Sequence, residues 1–135
     1  MLDEIEHVAF EESYVLGWAS AGGGSINIFL QLLLTNGHSQ FRTFDEENEY
    51  GCYRLAVLTV DDVLNQSGLE PCEVIPVWDD VLKEYKDVDE INAVRMDSRE
   101  VRLSCDLRTI AVECMSSSLE IVGESGQGAF SKWLT

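Results

Sequence analysis

Residues 13–36 read SYVLGWASAGGGSINIFLQLLLTN, and the alternation within this stretch decides the fold. In its first half Tyr14, Leu16 and Trp18 fall on one face of a strand, with Val15, Gly17 and Ala19 on the other. Ala21-Gly22-Gly23-Gly24-Ser25 then supplies a turn, because glycine reaches positive φ at no steric cost. On the return, Ile26, Ile28, Leu30, Leu32 and Leu34 share one face, while Asn27, Phe29, Gln31, Leu33 and Thr35 share the other. Five aliphatic side chains in succession at period two mark a core face. Asn36-Gly37 ends the strand as a second turn, so the spacing predicts a β-hairpin.

Working outward, residues 41–44 read as a short strand, followed by the acidic loop Asp45-Glu46-Glu47-Asn48-Glu49. A longer strand over 50–58 sets Tyr53, Leu55 and Val57 against Cys52, Arg54, Ala56 and Leu58. Thr59-Val60-Asp61-Asp62 resembles a helix start with acids in its first turn, limited by Gly68 to two turns. Residues 69–76 read as extended, since Pro71 and Pro76 each disfavour helix at the preceding residue. The pattern predicts a helix over 78–86: Trp78, Val81, Leu82 and Tyr85 make an i, i+3, i+4, i+7 stripe, with Asp79 and Asp80 early and Lys83 and Lys86 late. Strands follow at 91–96, 101–106, 109–115 and 119–122. A two-residue loop at Leu107-Arg108 would oppose Asp106 to Thr109 and Val101 to Cys114. Leu2, Ile5 and Ala9 also allow a helix over 2–10.

These elements describe one domain, residues 1–135, of mainly β class, with α+β as the alternative. Short turns between successive strands favour a twisted antiparallel sheet, rolled or doubled into a sandwich, with the short helix near 78–86 over an edge or open end. Ile28, Leu30, Leu32, Leu55, Val57, Leu103, Ile110 and Val112 are predicted to line one core. The Gly- and Ser-containing tail, 123–135, docks on the body through Phe130, Trp133 and Leu134.

Composition narrows the function. Nine basic against 25 acidic residues give a net charge of −16, which disfavours nucleic acid and anionic membranes as partners. No apolar run approaches the ~20 residues of a membrane-spanning helix. The acidic start, Met1 to Glu6, is unlike a secretory signal, so the expected location is cytoplasmic, with Cys52, Cys72, Cys105 and Cys114 as free thiols. The cysteine spacing contains no C-x-x-C pair, so no zinc or other cofactor is expected.

Catalytic patterns fail on their residues, and the expectation is that the chain is not an enzyme. Gly123-Glu124-Ser125-Gly126-Gln127 departs from a nucleophile elbow at Gln127, and neither His7 nor His38 is placed as its base. Gly22-Gly23-Gly24-Ser25 opens a strand rather than a helix, so it lacks the helix N-terminus of a phosphate loop. Asp87-Val88-Asp89-Glu90-Ile91-Asn92 places Ile91 where a calcium loop needs an oxygen ligand. Adjacent carboxylates, such as Glu11-Glu12 and Asp79-Asp80, are commonplace in so acidic a chain and read as solvated faces, with weak divalent-cation binding as a minor alternative.

In layout, the chain resembles small acidic bacterial immunity proteins that neutralise toxins, especially the β-rich ones. The likeness rests on the hairpin at 13–34, the short middle helix, the strands running to 122 and the acidity. It implies an inhibitor that docks on a basic protein. From Met1 to Glu73 only Arg42 and Arg54 stand against 13 acids, so the expected docking surface is the acidic loop Asp45, Glu46, Glu47 and Glu49, with Tyr50 and Tyr53 as apolar anchors. The competing reading is a structural or homo-oligomerising β-domain, with a small enzyme less favoured.

Overall fold

The computed structural model describes residues 8–35, 51–123 and 126–134, apart from the Cys52 side chain. In chain order the strands are β1 (Val8–Gly22), β2 (Ser25–Thr35), β3 (Gly51–Asp61), β4 (Asn65–Ser67), β5 (Trp78–Asp79), β6 (Glu84–Tyr85), β7 (Asp89–Met96), β8 (Glu100–Cys105), β9 (Thr109–Glu113) and β10 (Ser116–Ile121), followed by the one-turn helix α1 (Ser131–Leu134). Eight strands form an antiparallel sheet in the order β10-β3-β2-β1-β7-β8-β9-β4, and β5 pairs with β6 alone. The protein is a mainly β single domain, as the alternation of its sequence requires.

The sheet is rolled. β3 continues through Asp62 into β4, and β9 continues through Cys114 and Met115 into β10. Because β10 lies beside β3 and β4 beside β9, the two ends of the sheet belong to one pair of long bent segments, 51–67 and 109–121. Between the two ladders the Met115 N–H donates to the Asp61 carbonyl at 3.2 Å, and the Leu64 N–H donates to the Glu113 carbonyl at 2.8 Å. Asp62 makes the bend at φ 51°, a left-handed conformation that aspartate tolerates better than most residues.

Rolling gives the sheet an inner and an outer apolar face. Inside lie Ile26, Ile28, Leu30, Leu32 and Leu34 of β2, Ala56, Leu58 and Val60 of β3, and Val101, Leu103, Ile110 and Val112 of β8 and β9. Outside, Leu16, Phe29, Leu55 and Val57 form a second cluster, covered by Tyr85 and by Val122, Ala129 and Phe130. The expected single core is therefore two. Leu55 and Val57 belong to the outer one, because they alternate with the inward Ala56 and Leu58.

Three local expectations are corrected. Residues 59–68 are not helical: Thr59 and Val60 stay in β3, where they pair with Asn27 and Ile26, and the Thr59 hydroxyl donates to Asn27 Oδ1 at 2.8 Å. Residues 78–86 form a hairpin instead of a helix. Trp78 opposes Tyr85 with rings 5.0 Å apart edge-to-face, Asp79 Oδ1 accepts from the N–H groups of Val81 and Leu82, and Lys83 closes the turn at φ 56°. An isolated two-turn helix is marginal, whereas the hairpin buries Tyr85 against Phe130. The β8–β9 register is shifted by two residues, with Val101 opposite Val112 and a longer connection over 105–108. A shift of two preserves the inward set, so Val101, Leu103, Ile110 and Val112 are all buried.

Trp18 also changes face. An extra residue in β1 between Val15 and Gly17 turns its ring inward. The chain crosses β1 here: Trp18 and Val74 exchange two backbone hydrogen bonds of 2.9 Å, and a Cβ on Gly17 would overlap the Val74 carbonyl oxygen. Trp18 Nε1 donates to the Pro71 carbonyl at 2.8 Å, and the Arg108 guanidinium lies 5.0 Å from the indole ring. Arg108 Nη1 also donates to the Glu70 carbonyl at 3.1 Å. One inward cation thus fastens the 68–71 segment to the roll.

The expected strand at 41–44 and the turn at Asn36-Gly37 lie outside the described residues, as do residues 2–7 of the alternative N-terminal helix. Residues 8–10 of that alternative are strand.

Leu30 is fully buried at the centre of the inner core, so Leu30→Ala is expected to cost about 2–5 kcal/mol in urea titration. A loss below about 1 kcal/mol would place this face in solvent.

Candidate functional site

The outer face of β1–β3 is closed by aromatic packing at one end and open at the other. At the closed end Phe29, Phe130, Tyr85 and Trp78 form a ladder with centroid spacings of 4.9, 5.1 and 5.0 Å. The Tyr85 hydroxyl ties this ladder to the C-terminal segment by accepting from the Gly128 N–H at 3.1 Å. The β5–β6 hairpin therefore stands above the sheet as a wall, and the space between this wall and the sheet is the open end.

A wide bulge in β1 shapes the opposite side. Ala9 opposes Leu33 and Tyr14 opposes Gln31, so five steps along β1 match two along β2. The buried Ser13 hydroxyl repairs the interrupted ladder, donating to the Ala9 carbonyl at 2.8 Å and accepting from the Leu33 N–H at 2.9 Å. Glu11 and Glu12 are thereby displayed to solvent. Tyr53 crosses to this bulge, its hydroxyl donating to the Glu12 carbonyl at 3.2 Å, with its ring 6.2 Å from that of Tyr14.

Between bulge and hairpin lies a cleft of about 290 Å³ lined by Tyr14, Gln31, Tyr53, Glu84, Tyr85 and Asp87. A neighbouring recess of about 240 Å³ shares Gln31, Tyr53, Glu84 and Tyr85 and adds Arg54, Leu55 and Lys83. Partial burial, with the neighbouring Tyr14 hydroxyl and the charges of Glu12 and Glu90, raises the Tyr53 hydroxyl above its ordinary pKa. The cleft thus combines aromatic walls with a field that disfavours added negative charge.

Of the docking residues expected from sequence, Tyr53 is at this cleft and 40% exposed. Asp45, Glu46, Glu47, Glu49 and Tyr50 lie outside the described residues. Tyr14, Glu84, Tyr85 and Asp87 were missed. Tyr14 reads as part of the strand face it shares with Leu16 and Trp18, and Tyr85 as part of the stripe of a helix over 78–86.

The other candidate residues are accounted for differently. Asp89 is a buried structural carboxylate with its side chain 1% exposed. It accepts from the Glu90 N–H at 2.9 Å and from the Leu107 N–H at 3.1 Å, and it faces Arg108 Nε at 3.9 Å, too far for a hydrogen bond but close enough for charge attraction. Among the described residues no cluster of three or more His, Cys, Asp or Glu could hold a metal ion. Cys72, Cys105 and Cys114 are free, and burial next to Asp89 pushes the Cys105 thiol up to about 12. Glu124 and Ser125 of the elbow-like segment, together with His7 and His38, lie outside the described residues. No described helix is long and apolar enough to cross a membrane.

No family model matches the chain, and no curated protein or solved structure is significantly similar to it.

Tyr53 provides a pH test of the cleft. Its folded pKa is raised, so its contribution to stability is complete below the ordinary value near 10 and is lost as pH rises through the folded value. Ultraviolet titration of the wild type minus Tyr53→Phe should show a phenol ionising above pH 10. A difference curve centred at or below 10 would mean that Tyr53 is neither buried at the cleft nor under the influence of Tyr14, Glu12 and Glu90.

Proposed function

We propose that this is an acidic protein-binding module that docks on a basic partner protein, in the manner of an immunity-type inhibitor. The observation that carries the reading is the cleft whose lining combines Tyr14, Tyr53 and Tyr85 with Glu84 and Asp87, on a chain of net charge −16. Tyrosine supplies large contact area with little rotamer entropy, and carboxylates at a cleft steer a basic surface and set its orientation. Such a field raises association rates about tenfold or more at low salt.

Specific affinity also needs an apolar anchor. Val81 and Leu82, at the turn between β5 and β6, are 88% and 66% exposed, and the Asp79 carboxylate holds that turn in place. They occupy the same hairpin that supplies Glu84 and Tyr85 to the cleft. Asp45, Glu46, Glu47 and Glu49 add four carboxylates to the charge that would attract such a partner. Rolling supports a docking module over a strand-pairing oligomer, because the two long bent segments at the sheet ends pair along 56–61 with 116–121 and 65–67 with 111–113, which leaves only short edge strands.

The test is affinity capture from the native host, followed by measured binding of the purified pair. A basic partner is expected, with affinity falling at least about tenfold from low to physiological salt. Tyr14→Ala with Tyr53→Ala should weaken it by at least about tenfold while circular dichroism is unchanged. An acidic or neutral partner, or one whose affinity survives the double substitution, would overturn the reading.

A further inference from the structure

Inside the docking surface, the two recesses differ in charge. The smaller one has Arg54 and Lys83 in its lining, whereas the 290 Å³ cleft is lined by Tyr14, Gln31, Tyr53, Glu84, Tyr85 and Asp87, with no lysine or arginine among them. Two carboxylates and one amide supply hydrogen-bond acceptors there. The tyrosine rings supply flat faces of negative quadrupole, and the tilt of 40° between Tyr14 and Tyr53 leaves them splayed instead of stacked. Partial burial and the Tyr14 hydroxyl, with the charges of Glu12 and Glu90 near by, raise the Tyr53 hydroxyl.

We infer that this cleft is a receptor for an arginine side chain presented by the basic partner. The inference deepens the docking reading and rests on it. Arginine fits the lining better than lysine for three physical reasons. Its planar guanidinium stacks on aromatic faces. Its five fixed donors can engage a carboxylate in a two-pronged pair while still reaching the Gln31 amide oxygen. It is also less strongly hydrated than an ammonium, so entry beside the Tyr14 and Tyr53 rings costs less desolvation. A carboxylate-bearing side chain would meet Glu84 and Asp87 directly and is excluded from the same space.

Isolated amino-acid mimics make the test independent of the partner's identity. The probes are N-acetyl-arginine methylamide and N-acetyl-lysine methylamide, titrated into the full chain at low salt and followed by amide NMR shifts. Saturable shifts at Tyr14, Gln31, Tyr53, Glu84 and Asp87 are expected, with the arginine probe at least about fivefold tighter than the lysine probe. Glu84→Gln with Asp87→Asn, both exposed positions, should weaken the arginine probe at least about fivefold without altering the spectrum elsewhere. Tyr53→Phe should retain most of the affinity and Tyr53→Leu should lose it, because the ring face is the binding element. Equal affinity for the two probes, shifts spread over the whole acidic surface, or an unaffected Glu84/Asp87 variant would each overturn the inference. Cleft-dependent capture of a basic partner alongside any of those results would leave docking standing and remove the arginine receptor alone. Arginine-selective binding without such a partner would do the reverse.

Discussion

β2 carries apolar side chains on both faces, and neither can be left in water. Ile28, Leu30, Leu32 and Leu34 on one side and Phe29 on the other are all fully buried. A flat sheet open on one face would satisfy only half of this strand. Rolling the sheet so that 51–67 meets 109–121 encloses the aliphatic row, and it leaves the Phe29 side needing a separate cover. The β5–β6 hairpin and the 122–134 segment provide that cover through Tyr85, Val122 and Phe130. Each buried large side chain removes about 1.5–3 kcal/mol of unfavourable exposure, so both halves of the arrangement matter to a domain of this size.

The cleft follows from the incompleteness of the cover. Phe130 and Tyr85 shield Phe29, but the hairpin stops short of Tyr14 and Tyr53, where the β1 bulge pushes Glu11 and Glu12 outward. The space that remains has aromatic walls because it borders the outer core, and acidic residues because it borders solvent. Ser13 is the hinge of this arrangement. Its hydroxyl replaces a ladder bond at a site where backbone groups would otherwise be buried without partners.

How much of this was legible depended on how local the determinant is. The β1–β2 hairpin was readable because period two and three consecutive glycines both lie within 24 residues. The mainly β class followed from the same signal repeated downstream. Residues 78–86 misled because positions i and i+7 meet across two helical turns and also across a hairpin with a four-residue turn. Burial of Tyr85 against Phe130, 45 positions away, decides between them. Trp18 parts from Tyr14 and Leu16, with which alternation groups it, because a one-residue bulge leaves no mark on the pattern apart from Gly17. The cleft was the least legible feature. Tyr14 and Tyr53 meet because β1 and β3 flank β2, and Glu84 joins them only because the β5–β6 hairpin packs over that face, which no spacing in the sequence encodes.

The claim on which fold and site both depend is that residues 78–85 form a hairpin packed through Tyr85 onto Phe130 and Phe29. A two-dimensional nuclear Overhauser spectrum tests it directly. Cross-peaks should link the rings of Trp78 to Tyr85, Tyr85 to Phe130 and Phe130 to Phe29, with cross-strand backbone contacts between Trp78 and Tyr85. Successive i to i+3 contacts across 78–86, with no contact from Tyr85 to Phe130, would contradict the account and remove the wall of the cleft.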